Sequence, residues 1–160
     1  MEDAFTVSIV GLGLMGGSLA LALRAQPAPA ALPVARIVGV SRSQATLDAA
    51  LAAGAIDAGT TDLAGGLEGA DLIVLATPVR TILRLLPEVG RHARPGAVVI
   101  DLGSSKAQIC AALADLPADL EPIGGHPLCG KETAGFAAAE AGLFRSRPFV
   151  LCPLARTAPA

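Results

Sequence analysis

Three short stretches of this 160-residue chain combine residue types and spacings that do chemistry. The first is Gly11-Leu12-Gly13-Leu14-Met15-Gly16, a G-x-G-x-x-G run between an apolar segment and a helical pattern. In that setting the first glycine permits a tight turn and the second lets the backbone approach a pyrophosphate. The third lets helix and strand pack closely. Amides at the start of the helix, Leu14 and Met15 among them, then face the phosphates, aided by the helix dipole. A glycine turn that serves packing alone is the competing reading, and the strand–turn–helix context favours a dinucleotide. Gly11, Gly13, Leu14, Met15 and Gly16 are therefore expected to bind the cofactor.

The end of the second strand bears on which dinucleotide. It reads Val40-Ser41-Arg42-Ser43, with no acid before Asp48. A carboxylate there would hold the ribose 2′-hydroxyl of NAD and repel a 2′-phosphate. A guanidinium grips a phosphate bidentately, and hydroxyls add hydrogen bonds. Ser41, Arg42 and Ser43 are expected to bind NADP, with NAD as the second choice. Ala76, Thr77 and Pro78 end a strand beside the glycine turn, so their backbone is expected to line the same cleft.

The other two stretches are Asp101-Leu102-Gly103-Ser104-Ser105-Lys106 and Gly124-Gly125-His126-Pro127-Leu128-Cys129-Gly130. Both lie at strand ends, where a doubly wound sheet binds its ligands. Histidine titrates near neutrality and suits proton transfer. A bland reading stands beside each: His126-Pro127 as a simple turn, Ser104 and Ser105 as caps of the next helix. Gly103 is grouped with the cofactor residues. Lys106 is left open between cofactor and solvent, Cys129 reads as a small apolar filler, and His92 as a solvated helix-end residue. Lys131 and Glu132 receive no role.

The elements that must position these groups alternate strand and helix, the pattern of β-α-β units on a parallel sheet. Strands are expected at Phe5–Val10, Arg36–Val40, Leu72–Ala76, Ala97–Leu102, Ile123–Gly125 and Phe149–Cys152. Helices are expected from Met15 to Ala25, from the cap Ser43 to Ala53 with Gly54 as stop, and from Lys106 to Leu113. Val79 to His92 shows a helical period interrupted by Pro87. A proline-rich loop runs through Pro27, Pro29 and Pro33. The fold class is thus α/β, a doubly wound, mostly parallel sheet of the dinucleotide-binding (Rossmann) type.

Composition narrows the remaining choices. Hydrophobic residues make up 52% and charged residues 16%, which excludes disorder and supplies one core. A net charge of −2 without a basic run argues against nucleic acid and anionic membrane surfaces as partners. The uncharged stretch from Ala4 to Leu23 follows Glu2 and Asp3 and is broken by glycines, so it reads as strand, turn and helix rather than a membrane span. Cys110, Cys129 and Cys152 are odd in number and far apart, with no C-x-x-C pair. No metal site and no disulfide framework are expected, and the compartment is expected to be cytoplasmic.

On these motifs the chain resembles the prephenate/arogenate dehydrogenase family of tyrosine biosynthesis. The likeness runs from V-G-L-G-L-M-G-G-S-L at Val10–Leu19 to F-V-L-C-P at Phe149–Pro153. It includes G-V-S-R at Gly39–Arg42, A-T-P-V at Ala76–Val79 and G-L-F at Gly142–Phe144. The pair G-S-S-K and G-G-H-P-x-x-G is its specific part. The resemblance implies oxidative decarboxylation of a cyclohexadienol carboxylate, prephenate or arogenate, with hydride passing to the nicotinamide. It implies that His126 is the catalytic histidine and that Ser104 hydrogen-bonds the same substrate hydroxyl. Ser105, of equal chemistry, is one register step away.

The resemblance also implies a homodimer whose C-terminal helical domain completes the substrate pocket. Residues 1–153 are expected to form the dinucleotide-binding domain, and 154–160 a tail leading to that helical domain, absent from this chain. Such a fragment is expected to bind NADP yet turn over little substrate. Two other readings compete. One is a β-hydroxyacid-type dehydrogenase or imine reductase; the hydroxyacid enzymes usually depend on a lysine on a later helix, while this chain offers His126. The other is a non-catalytic dinucleotide-sensing domain, which leaves the presence of both Ser104 and His126 unexplained.

Overall fold

The computed structural model describes residues 5–26 and 33–157. Pro27 and Pro29 of the expected loop and the end of the tail lie outside them. The described chain runs β1 (Phe5–Val10), α1 (Leu14–Arg24), β2 (Val34–Val40), α2 (Gln44–Ala52), β3 (Ala58–Thr60), α3 (Leu63–Leu67), β4 (Leu72–Leu75) and α4 (Val79–His92). It continues through β5 (Val98–Asp101), α5 (Ala107–Ala114), β6 (Glu121–Pro127), a single 3-10 turn at Phe136–Ala138 and β7 (Phe149–Pro153).

The strands form one sheet in the order β3-β2-β1-β4-β5-β6-β7. Every pairing from β3 to β6 is parallel, and β7 closes the edge antiparallel to β6. The chain leaves β1 toward β2 and β3, then returns to place β4 on the other side of β1. That reversal is the topological switch point, and it opens a crevice at the carboxyl ends of β1 and β4. Apolar side chains leave both faces of the central strands. One core layer carries Ile73, Leu75 and Val99 against Ile82, Leu86 and Val89 of α4 and Ile109 and Leu113 of α5. The opposite layer carries Val7, Ile9 and Val74 against Leu47 and Ala50 of α2 and Ala20 of α1. Parallel strands buried on both faces give the continuous apolar runs seen in the sequence.

The expected strand-and-helix alternation is present, with four differences. Helix α4 passes through Pro87 without a break, because its face of Ile82, Leu86 and Val89 is fully packed and holds the turn where proline removes one N–H. Strand β6 extends two residues past Gly125, because antiparallel β7 pairs His126 with Val150 and Pro127 with Phe149. His126 therefore sits within a strand, not after one. Lys106 occupies the N-cap of α5, and neither Ser104 nor Ser105 caps it. Strand β3, helix α3 and the 3-10 turn are additional to the elements read from periodicity. The expected cap at Ser43 is formed, its Oγ accepting from the Thr46 N–H at 3.2 Å, and Gly54 takes φ +64° as the stop after α2.

Candidate functional site

The three glycines at the β1–α1 turn carry three different steric loads. Gly11 adopts φ +98°, and a Cβ there would lie 2.7 Å from Thr77 Cγ2 and 2.8 Å from the Ala76 carbonyl oxygen. A Cβ on Gly16 would run into the Gly11 carbonyl oxygen, so this glycine lets α1 pack onto its own turn. Gly13 is different. Nothing lies within 4 Å of a Cβ built on it, so the backbone there faces open space. It is also the N-cap of α1 and makes no side-chain cap bond, which leaves the first amides of the helix free to meet an anion. The open second glycine and these free amides fit the pyrophosphate of a dinucleotide.

A cleft of about 400 Å³ opens over this turn, lined by Gly11, Leu12 and Gly13, by Ser41, Arg42 and Ser43, and by Ala76, Thr77 and Pro78. Thr77 lines the cleft, and its Oγ1 is buried without a hydrogen-bond partner. Among the described residues no carboxylate lines the cleft, and Arg42 is exposed at its β2 end. Ser41 Oγ accepts from the Ser43 N–H at 3.2 Å, which orders the turn that carries Arg42. An adjoining cleft of about 340 Å³ is lined by Gly13, Leu14 and Met15, by Ala76 to Pro78, and by Leu102 at the end of β5. The groove thus runs along the carboxyl edge of the sheet toward Ser104.

Ser104 and Ser105 are exposed on the turn after β5, and His126 stands half-buried near the end of neighbouring β6. Nδ1 of His126 is buried and makes no hydrogen bond. Neither Ser104 nor His126 lines the two clefts; β6 lies three strands from β1, about 14 Å at ~4.8 Å per strand. Gly103 is buried, and its N–H donates to Asp101 Oδ2 at 2.8 Å, so it packs beneath the turn. Lys106, left open by the sequence, points inward and pairs with Asp101. Burial pushes the Cys129 thiol up, partly offset by Arg147, away from the thiolate a nucleophile needs. Among the described residues no cluster of three or more His, Cys, Asp or Glu is arranged to hold a metal, and no helix is long and apolar enough to cross a membrane.

Several cleft residues carry no sequence signal of their own. Thr46, Thr61, Thr81 and Phe136 line the first cleft. Phe136 reaches it because the long β6–β7 connection folds back over α1. A Cβ on Gly17 would lie 2.7 Å from the Phe136 ring, and the Glu140 N–H donates to Ser18 Oγ at 2.9 Å. The lack of a Cβ at Gly17 beneath that ring is the one local hint.

Comparison with known proteins follows the same geometry. The family model described as prephenate dehydrogenase, nucleotide-binding domain, matches residues 19–160. A prephenate dehydrogenase of Bacillus subtilis (strain 168) is 35% identical over 160 residues, covering 98% of this chain and 41% of that protein. A Synechocystis arogenate dehydrogenase structure superposes with a TM-score of 0.86 at 36% identity, covering 97% of this chain and 52% of that one. The Aquifex aeolicus prephenate dehydrogenase, solved with hydroxyphenyl propionate and NAD+, gives 0.85 at 29% identity, covering 98% and 53%. The chain spans about half, or less, of the length of these relatives. With its glycine turn, switch-point cleft and paired G-S-S-K and G-G-H-P segments, the chain belongs to the prephenate dehydrogenase family, as its nucleotide-binding domain.

Proposed function

We propose that the protein carrying this chain oxidatively decarboxylates prephenate or arogenate, with NADP preferred and NAD accepted less well. One juxtaposition carries this reading. An imidazole with no hydrogen bond at its buried Nδ1 stands at the end of β6, beside the exposed Ser104 turn, on the sheet edge that holds the dinucleotide cleft.

When bound, the oxidised nicotinamide supplies the hydride acceptor. As the carbinol carbon loses hydride, positive charge builds on it and acidifies its hydroxyl. His126 takes that proton, and Ser104 hydrogen-bonds the same oxygen and holds it toward the ring nitrogen. The substrate then loses its ring carboxylate as carbon dioxide, and the electron pair of the broken carbon–carbon bond enters the ring. The proton held on His126 returns to the new phenolic oxygen. The backbone at Gly13, Leu14 and Met15 binds the pyrophosphate, and Ser41, Arg42 and Ser43 hold the 2′-phosphate. Gly16 and Gly103 act by packing beneath these groups, while Ala76, Thr77 and Pro78 wall the cleft.

Residues 1–153 serve as the cofactor domain of a cytoplasmic homodimer, and a helical domain completes the substrate pocket. The relatives' roughly twofold greater length supports a further domain beside this one in such enzymes. The partner is a small molecule rather than nucleic acid or membrane. An assay of the whole protein with prephenate, arogenate and 3-hydroxyisobutyrate tests the reading, with products separated by chromatography. The expected result is hydroxyphenylpyruvate from prephenate or tyrosine from arogenate, with one carbon dioxide per reduced nicotinamide. Oxidation of the hydroxy acid alone would favour a β-hydroxyacid dehydrogenase. Cofactor binding with no turnover of any of the three would favour a sensing domain.

A further inference from the structure

Asp101 is fully buried, yet its carboxylate takes no part in the chemistry proposed above. It sits where the β5–β6 ladder ends. The parallel register runs Val98–Glu121, Val99–Pro122 and Ile100–Ile123 and stops there, while β6 continues four residues further against β7 alone. Side chains take over at that point. Asp101 Oδ1 accepts the Gly125 N–H at 3.2 Å, and Oδ2 accepts the Gly103 N–H at 2.8 Å. Lys106 forms an ion pair with the same carboxylate, and its Nζ donates to the Gly125 carbonyl at 2.6 Å. Both backbone groups of Gly125, the residue before His126, are thus held by one buried pair.

The neighbouring glycines fit this arrangement and little else. A Cβ on Gly125 would lie 2.6 Å from the Asp101 carbonyl oxygen and 3.0 Å from Ile100. A Cβ on Gly103 would lie 2.6 Å from Ile109 Cδ1 and 2.9 Å from Asp101 Oδ2. Ser104 and Ser105 lie between Gly103 and Lys106, so the same carboxylate anchors both sides of the serine turn.

We propose that Asp101 and Lys106 are positioning residues, a buried clasp that fixes the His126 strand end against the Ser104 turn. Taking the Asp101 charge out of water is costly, and the hydrogen bonds from Gly103 and Gly125 together with the partly buried Lys106 ammonium offset that cost. What the pair delivers is a fixed geometry between the serine turn and the end of β6, beyond the point where the β5–β6 ladder stops. The functional consequence rests on the catalytic reading of His126; the structural one does not.

The chain has two histidines, and that makes the test specific. His92, at the end of α4 beside Glu88 at 3.4 Å, is the internal control for imidazole NMR signals. The double variant Asp101→Asn/Lys106→Met removes both charges and leaves none unpaired. It is expected to shift or broaden the His126 signals, leave those of His92 in place and keep NADP affinity within about twofold. In the whole protein kcat is expected to fall roughly ten- to hundredfold with KM little changed, the cost of a misplaced catalytic group. Lys106→Arg, which keeps the charge, is expected to recover part of that loss. Unchanged His126 signals and kcat in a folded double variant would overturn the clasp. If the double variant does not fold, the same readouts on Lys106→Met, which removes the bond to the Gly125 carbonyl and leaves Asp101 in place, decide, and an unchanged spectrum and kcat there overturn it equally. Full turnover by His126→Asn would instead sink the catalytic reading and leave the spectral result standing.

Discussion

His126→Asn is expected to lower kcat of the whole protein by about 10²-fold or more while leaving NADP affinity unchanged, the usual share of a general base in turnover. Asparagine is of similar size and hydrogen-bonds, so it can fill the half-buried place at the end of β6. It cannot accept a proton. The cofactor cleft is built at β1, β2 and β4, and His126 lines no part of it, so binding and chemistry separate cleanly in this variant. Ser104→Ala is expected to have a smaller effect, because a hydrogen bond is lost and no proton acceptor is removed. Turnover and calorimetric affinity measured side by side check both. A parallel loss of NADP binding in His126→Asn would mark the residue as structural.

Arg42→Ala is expected to weaken NADP binding by roughly ten- to hundredfold, the worth of about 1.5–3 kcal/mol for a hydrogen bond to a charged group. NAD affinity is expected to stay within about twofold, since NAD lacks the phosphate that the guanidinium would hold. The local structure supports the asymmetry. Arg42 forms no ion pair or hydrogen bond among the described residues, and no carboxylate lines the cleft to compete for it. Asp48 is engaged by Gln44 at 2.8 Å, and Asp62 caps α3 by accepting from Gly65 at 2.9 Å. Titration of both cofactors into wild type and variant is the check. Equal affinities in the wild type, or an unaltered NADP affinity in the variant, would refute the preference.

The parts of this domain that follow from local physics were legible in the sequence. Continuous apolar runs marked β4 and β5, because parallel strands covered on both faces have no polar side to alternate with, while β1 carries Thr6 and Ser8 among its apolar residues and was marked by the glycine turn that ends it. The Gly11-to-Gly16 turn was legible because Gly11 and Gly16 meet steric demands and Gly13 leaves the backbone open, and Ser43 and Gly54 because caps are local. What depends on partners distant in sequence was not. Strand β3 is three residues, Ala58-Gly59-Thr60, held by pairing with β2, and nothing in its own composition marks it. Strand β6 was read two residues too short at each end, because Glu121 and Pro122 are recruited by β5 and His126 and Pro127 by β7, and neither pair carries an apolar signal of its own. Lys106 stayed ambiguous for the same reason: its partners are Asp101 and a carbonyl nineteen residues away, and only the folded sheet brings them together. Phe136 reaches the cleft through a long connection that no periodicity predicts.

In the proposed reaction hydride leaves the carbinol carbon of a cyclohexadienol carboxylate, and His126 takes the hydroxyl proton. Isotope tracing tests it most directly. Prephenate and arogenate carrying deuterium at the carbinol carbon are supplied to the whole protein with NADP, and the reduced nicotinamide is examined by mass spectrometry. The account predicts one deuterium in each reduced nicotinamide, one carbon dioxide released per transfer, and loss of both together in His126→Asn. Reduced nicotinamide without deuterium, or transfer that persists at the wild-type rate in His126→Asn, would contradict it.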